Sequence, residues 1–201
     1  MVTRSSSLFQ QLVRHVLKWE GKTSSNPNDG AASCFPGGIH TNKGVTFCTF
    51  RSLARKLGIT PVTHARFLQL TDREVQLFIY EFYKQYAQGL KPYLSIAAAE
   101  TAWMSGEKWV NHHLREAARI LNLPATTTAQ AIRSLNTVSD KVAYDAFQRV
   151  RNRFITTISA YPRNATFANG WRNRLNDFNK KFKPVAFLPF FFSVASYLFC
   201  F

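Results

Sequence analysis

Glu20 and Asp29 are the only carboxylates in the first 71 residues of a 201-residue chain with a net charge of +15. Glu20 stands in Trp19-Glu20-Gly21, and Asp29 in the turn-forming stretch Asn26-Pro27-Asn28-Asp29-Gly30. Behind them runs Pro36-Gly37-Gly38-Ile39-His40-Thr41-Asn42-Lys43-Gly44-Val45-Thr46. Two carboxyls beside a glycine-rich turn are equipment for proton transfer, one holding a proton to donate and the other ionised to accept or attack. Glu20 is the candidate acid. It falls at the C-terminus of a helix, where the partial negative charge of the backbone disfavours a carboxylate and should raise its pKa. Asp29 is the candidate partner, although an Asp before Gly in a turn is also a local conformational choice.

The elements that must hold these groups are helical. Leu8, Leu12, Val16 and Trp19 repeat at helical spacing over residues 7–19, with Ser7 and Gln10 spaced as a capping box and Gly21 as the expected stop. Residues 23–44 lack a helical period and read as a long loop with a short β-hairpin. Helices follow over residues 49–57 and towards Leu68. Another spans 71–86, with Thr71 capping Glu74. Residues 95–103 are mostly apolar, which predicts a buried helix. Residues 108–121, 128–135, 139–160 and 167–182 complete the set. In the helix over 139–160, Val142, Phe147, Val150, Phe154 and Ile158 are expected inward, and Arg149, Arg151 and Arg153 largely outward. The fold class expected is mainly α with a small β-hairpin and loop region.

The chain is long enough for a substantial core, and 46% of its residues are hydrophobic. The excess of Lys and Arg favours anionic partners without choosing among nucleic acid, membrane and anionic wall polymer. No helix-turn-helix or RNA-binding signature is present, and no nucleic-acid partner is expected. Residues 149–183 hold nine basic residues against Asp177 alone. This run reads either as a solvated face or as a docking surface for an anionic polymer. Cys34, Cys48 and Cys200 are too few and too odd for a disulfide framework, although a single Cys34–Cys48 bridge stays open as the less favoured reading, and no Cys/His cluster has metal spacing. His112-His113 has no acid or cysteine at ligand spacing and reads as surface. No metal and no cofactor are expected. The N-terminus lacks the apolar core of a signal peptide, which predicts synthesis in the cytoplasm and action elsewhere after release or export. Residues 185–201 form an uncharged, Phe-rich tail after Lys180-Lys181-Phe182-Lys183. A membrane contact through this tail and a segment packed on the protein are both open. A monomer is expected.

The stretch from Glu20 to Thr46 resembles glycoside hydrolase family 108, the phage and bacterial N-acetylmuramidases. Its pattern of Glu-Gly-Gly, an Asn-Asp-Pro-type loop and Gly-Gly-x-Thr-Asn-x-Gly-Ile/Val-Thr is matched by Glu20-Gly21, Asn26-Pro27-Asn28-Asp29 and Gly37 to Thr46, with Lys22 in place of the second glycine. Ala102-Trp103-Met104-Ser105-Gly106 looks like the family's Trp-Gly-Ser-Gly helix end. Phe167-Ala168-Asn169-Gly170-Trp171-Arg172-Asn173-Arg174 looks like its Phe-x-x-Gly-Trp-x-Asn-Arg segment in a peptidoglycan-binding half.

The resemblance implies a lysozyme-like helical catalytic domain over residues 1–93, a helical wall-binding half over 94–183 and the tail from 184. It implies a peptidoglycan partner and cleavage of the β-1,4 bond between N-acetylmuramic acid and N-acetylglucosamine. Glu20 would be the general acid, with Asp29 and Thr41 as further catalytic candidates, Thr41 positioning a water or a sugar hydroxyl. Asn42, Gly38, Trp103 and Glu100 are the substrate-binding candidates. Each has a structural alternative: Asn42 and Thr41 can simply hold the loop, Trp103 can fill the core, and Glu100 can be a paired structural carboxylate. The same lineage could yield a wall-binding protein without catalysis. A basic nucleic-acid binder is the alternative from another class.

Overall fold

Helix α5, Pro92–Ser105, lies at the centre of the fold, with four other helices packed directly on it. The structure is a computed structural model that describes residues 2–184; the tail over 185–201 lies outside the described residues. From Leu94 to Ala102 every residue of α5 is buried, the polar Ser95, Glu100 and Thr101 included, as expected of a helix without a polar face. Ala97, Ala98, Ala99 and Ala102 present little side chain, so the neighbouring helices over 7–19, 72–86, 107–120 and 140–159 can approach closely. One hydrophobic core runs from Val2 to Phe182 and passes through α5.

Helix α1, Ser7–Trp19, buries Phe9, Leu12, Val13 and Val16 on one face. Its cap is Ser6 rather than Ser7: the Ser6 hydroxyl accepts from Phe9 N. Nor does Gly21 end the helix. The chain turns extended at Glu20 (φ −83°, ψ 126°), whose N–H still bonds Val16 O, because it continues directly into strand β1, Thr23–Ser24. Strand β1 pairs with β2, Thr41–Asn42, which pairs with β3, Val45–Thr46, all antiparallel. The hairpin and loop region expected from sequence is thus a three-stranded sheet, and the chain is otherwise mainly helical in a lysozyme-like arrangement.

The loop between β1 and β2 is held more firmly than its composition suggests. Cys34 and Cys48 form a disulfide, with Cα atoms 5.2 Å apart. The sparse cysteines argued against one. The hairpin decides it, by laying the 3-10 turn Ala32–Cys34 beside α2, Phe47–Leu53. Phe35 stacks on His64 of α3, His64–Leu68, with ring centroids 3.9 Å apart, and Phe47 meets both rings edge-on. Helix α4, Asp72–Tyr86, carries the capping box of Thr71 and Glu74.

Helices α6, Glu107–Ile120, α7, Thr128–Leu135, α8, Asp140–Ser159, and α9, Ala165–Lys181, pack over the far side of α5. Two expectations fail on α8. Val142 is exposed, and Arg151, expected outward, is fully buried. Spacing explains the arginine: Arg151 lies four residues after Phe147 and four before Ile155, on the inward stripe. His113, read as surface, is also fully buried, among Trp109, Phe147 and Phe154.

Burial pulls the pKa of His113 down to about 4, helped by neighbouring His112. Burial first, then Arg174, pulls that of His15 down to about 3. Both rings stay neutral in the fold but protonate below about pH 6.5 in the unfolded chain. The unfolded state therefore binds more protons, and stability present above pH 6.5 is lost as pH falls towards 4. Thermal melts between pH 7.5 and 4.5 should show a falling Tm, and His113→Leu should flatten part of the fall. A Tm independent of pH over this window would contradict the buried neutral imidazoles.

Candidate active site

A cleft of about 620 Å³ opens between the Glu20–Asp29 loop, the sheet and the N-terminal half of α9. Glu20, Asp29, Thr41, Gly44, Trp103 and Arg174 all line it. Glu20 reaches it because the chain leaves α1 there in an extended turn. Its carboxyl is fixed from two other helices: Trp103 Nε1 of α5 donates to Oε1 at 2.9 Å, and Arg174 Nη1 of α9 donates to the same oxygen at 2.6 Å. The carboxyl lies over Gly44, where a Cβ would come within 2.6 Å of Cδ and 2.8 Å of Oε2. Gly44 also has φ +80°, a conformation other residues resist. Backbone and cleft geometry therefore demand glycine here for the same side chain's sake.

Asp29 is held by its own turn, Oδ1 accepting from Ala31 N at 3.0 Å, while Oδ2 lies 3.3 Å from Nε2 of the buried His40. Thr41 Oγ1 is buried without a protein hydrogen-bond partner among the described residues. Three candidates sit elsewhere. Asn42 faces inward, its amide donating to Phe67 O at 2.8 Å, and so ties the sheet to α3. Gly38 lies against Phe35, whose ring would be 2.5 Å from an added Cβ. Glu100 is fully buried beneath the cleft and reaches Glu20 only through Arg174.

Beneath the cleft lies a compact set of charges. Arg174 Nε donates to Glu100 Oε1 at 2.7 Å, and Arg151 pairs with Glu100 Oε2. Burial and the charge of Arg174 draw Arg151 down to about 9, which leaves it a cation at neutral pH. One turn along α9, Asp177 accepts from Trp19 Nε1 at 2.7 Å, Lys181 Nζ at 2.9 Å and Lys18 Nζ at 3.1 Å. Partial burial pushes the Asp177 pKa up, but bonds from Lys181, Trp19 and Lys18 outweigh it and hold the group well below the ordinary carboxylate range. Lys18, Trp19 and Glu20, consecutive in sequence, are thereby all docked on α9.

A second cavity of about 470 Å³, between α6 and α8, is lined by Trp109, Phe154 and Arg153 and has Glu116 as its one carboxylate. It lacks the carboxyl pair of the first.

Residues 13–106 match the family model glycosyl hydrolase 108. That segment carries Glu20, Asp29, Thr41, Gly44 and Trp103 and supports a glycoside hydrolase. Arg174 and the α9 wall of the cleft lie beyond it. No curated protein sequence matches the chain. The solved structure of Brucella abortus SagA is similar in fold, with a TM-score of 0.58 and 21% identity over 90% of this chain and 98% of that one. Sequence reasoning missed His40 behind Asp29 and placed Arg174 in a wall-binding half rather than on Glu20. The signals available for Arg174 were its place at the end of the Phe167–Arg174 motif and its spacing of three residues from both Trp171 and Asp177 on the same helix.

Removing one partner from a buried ion cluster leaves charge uncompensated. Glu100→Gln should destabilise the fold by about 3–5 kcal/mol, measured by urea unfolding, since two arginines lose their shared carboxylate. Gly44→Ala should displace the Glu20 carboxyl by roughly an ångström. Any hydrolytic activity should fall by about 10²-fold or more in a reducing-end assay; wild-type rates in this variant would disconnect Gly44 from Glu20.

Proposed function

We propose that the chain is a peptidoglycan hydrolase of the muramidase type, cleaving the β-1,4 bond between N-acetylmuramic acid and N-acetylglucosamine. The observation that carries this reading is the Glu20 carboxyl, clamped at one oxygen by Trp103 and Arg174 inside a cleft that also receives Asp29. Both clamping bonds fall on Oε1, so Oε2 is the oxygen assigned to carry and deliver the proton. Glu20 protonates the glycosidic oxygen as the C1–O bond breaks, and the leaving sugar departs as the free hydroxyl. Asp29, oriented by Ala31 N and His40, supplies the second carboxylate. Thr41 Oγ1, with no protein partner among the described residues, holds the incoming water or a sugar hydroxyl. The family match over residues 13–106 supports the glycosidase chemistry. The positive charge favours capture of an anionic wall polymer.

The Cys34–Cys48 bridge supports action outside the reducing cytoplasm, after release or export. Among the described residues no helix is long and apolar enough to cross a membrane.

Purified protein incubated with peptidoglycan should release new reducing ends whose borohydride-reduced residue is muramitol. Glu20→Gln should lower that rate by about 10²–10⁴-fold, the usual contribution of a general acid, with Tm within a few degrees of wild type. Release of glucosaminitol instead would give the wrong bond, and an active Glu20→Gln would give the wrong acid.

A further inference from the structure

Gly170 sits in the interior of α9, where glycine weakens a helix relative to alanine. Nothing in the described chain calls for it. Its φ is not in the left-handed region, and an added Cβ would meet no atom within 4 Å. Yet Gly170 lines the cleft, flanked along the helix by Phe167 and Trp171, which line it too. The two rings are stacked on each other, with centroids 5.8 Å apart and planes 19° apart. Both stay partly exposed, while the next buried turn of α9 is filled by Arg174 and Leu175. The bond from Arg174 to Glu20 fixes the rotation of α9 about its own axis, and Phe167, Trp171 and Arg174 follow one another at intervals of four and three residues on one stripe. The same stripe therefore presents a clamp for the acid, then an aromatic face, with a notch beside it where a side chain is missing. Arg174, which also lines the cleft, keeps one buried guanidinium nitrogen, Nη2, without a hydrogen-bond partner among the described residues.

We propose that Phe167, Gly170 and Trp171 form a sugar subsite on α9 that seats one N-acetylhexosamine ring of the glycan beside the scissile bond. This deepens, and rests on, the reading of the cleft as a glycan-cleaving site. An aromatic ring buries the apolar C–H face of a pyranose while the sugar's equatorial hydroxyls and acetamido group reach outward to polar partners, as aromatic side chains with one wet edge allow. Thr166 and Asn164, on the same wall, offer such partners. Glycine at 170 keeps the helix backbone low enough for the ring to lie flat, and the helix accepts a weaker position in return. The subsite lies outside the family-matched segment, so the last helix supplies both the guanidinium that fixes the acid and the surface that places the substrate.

The test uses chitotetraose, a soluble N-acetylhexosamine oligomer, with binding read by calorimetry and melting in parallel. Wild type should bind it. Glu20→Gln should bind it about as tightly, which separates binding from chemistry. Trp171→Ala should weaken binding by about tenfold or more, and Trp171→Phe should recover much of the loss, because the contact is with the ring face. Gly170→Ala gives the sharper outcome: the Tm should rise by about 2–4 °C as the helix gains a better residue, while affinity for chitotetraose falls and KM on peptidoglycan rises. A folded Gly170→Ala that is both stabilised and binds like wild type overturns the subsite, as does a wild-type chain that binds no chitotetraose. If Trp171→Ala fails to fold, Trp171→Phe and Gly170→Ala still decide the question. Should Glu20→Gln stay active while these variants lose affinity, the assignment of the acid falls and the subsite stands.

Discussion

The guanidinium of Arg174 is the joint on which the rest of the molecule depends. It donates through Nε to Glu100 and through Nη1 to Glu20, so one side chain ties the core helix α5 and the end of α1 to α9. Because Glu100 also pairs with Arg151, the guanidinium is held from behind, and its grip on Glu20 is correspondingly rigid. A buried charge is tolerable only when paired and hydrogen-bonded. Here the pairing runs through four helices, α1, α5, α8 and α9. Stability and the placement of the Glu20 carboxyl are consequences of the same bonds.

This arrangement changes what the positive charge means. Of the 26 Lys and Arg residues, Arg151 and Arg174 are turned inward, where both pair with Glu100 and Arg174 also bonds Glu20 Oε1. The basic run over residues 149–183 is thus neither simply a solvated face nor simply a docking surface: part of it is internal wiring, and the remainder gives the exterior its field. Asp177, its sole acid, is spent on α1, where it draws Lys18 and Trp19 onto α9.

Local signals were legible and long-range ones were not. The stripe of α1, the capping box of Thr71 and Glu74 and the burial of α5 follow from spacing and composition within one element. Glu20, Asp29, Thr41 and Trp103 could be grouped from their motifs, and the cleft does bring them together. Arg151 was misjudged because its chemistry was weighed before its position on the helical stripe. Arg174 acts across 154 residues of chain, and no periodicity records such a contact. Asn42 and Glu100 look like polar site residues by type, but their partners, Phe67 O and two arginines, lie in the interior. The disulfide was hidden for the same reason, since only the hairpin brings Cys34 to Cys48.

The reach of Arg174 also sets an order of events during synthesis. Glu20 emerges among the first residues from the ribosome, and the helix that bears it can form at once. Its clamp belongs to the last described helix, made only after some 150 further residues, about eight to thirty seconds later at the usual speed of translation. Until α9 docks, the carboxyl has no guanidinium and the cleft has one wall instead of two. A nascent or truncated chain therefore carries the proposed acid without the guanidinium that fixes it, and only the completed fold assembles the cleft around it.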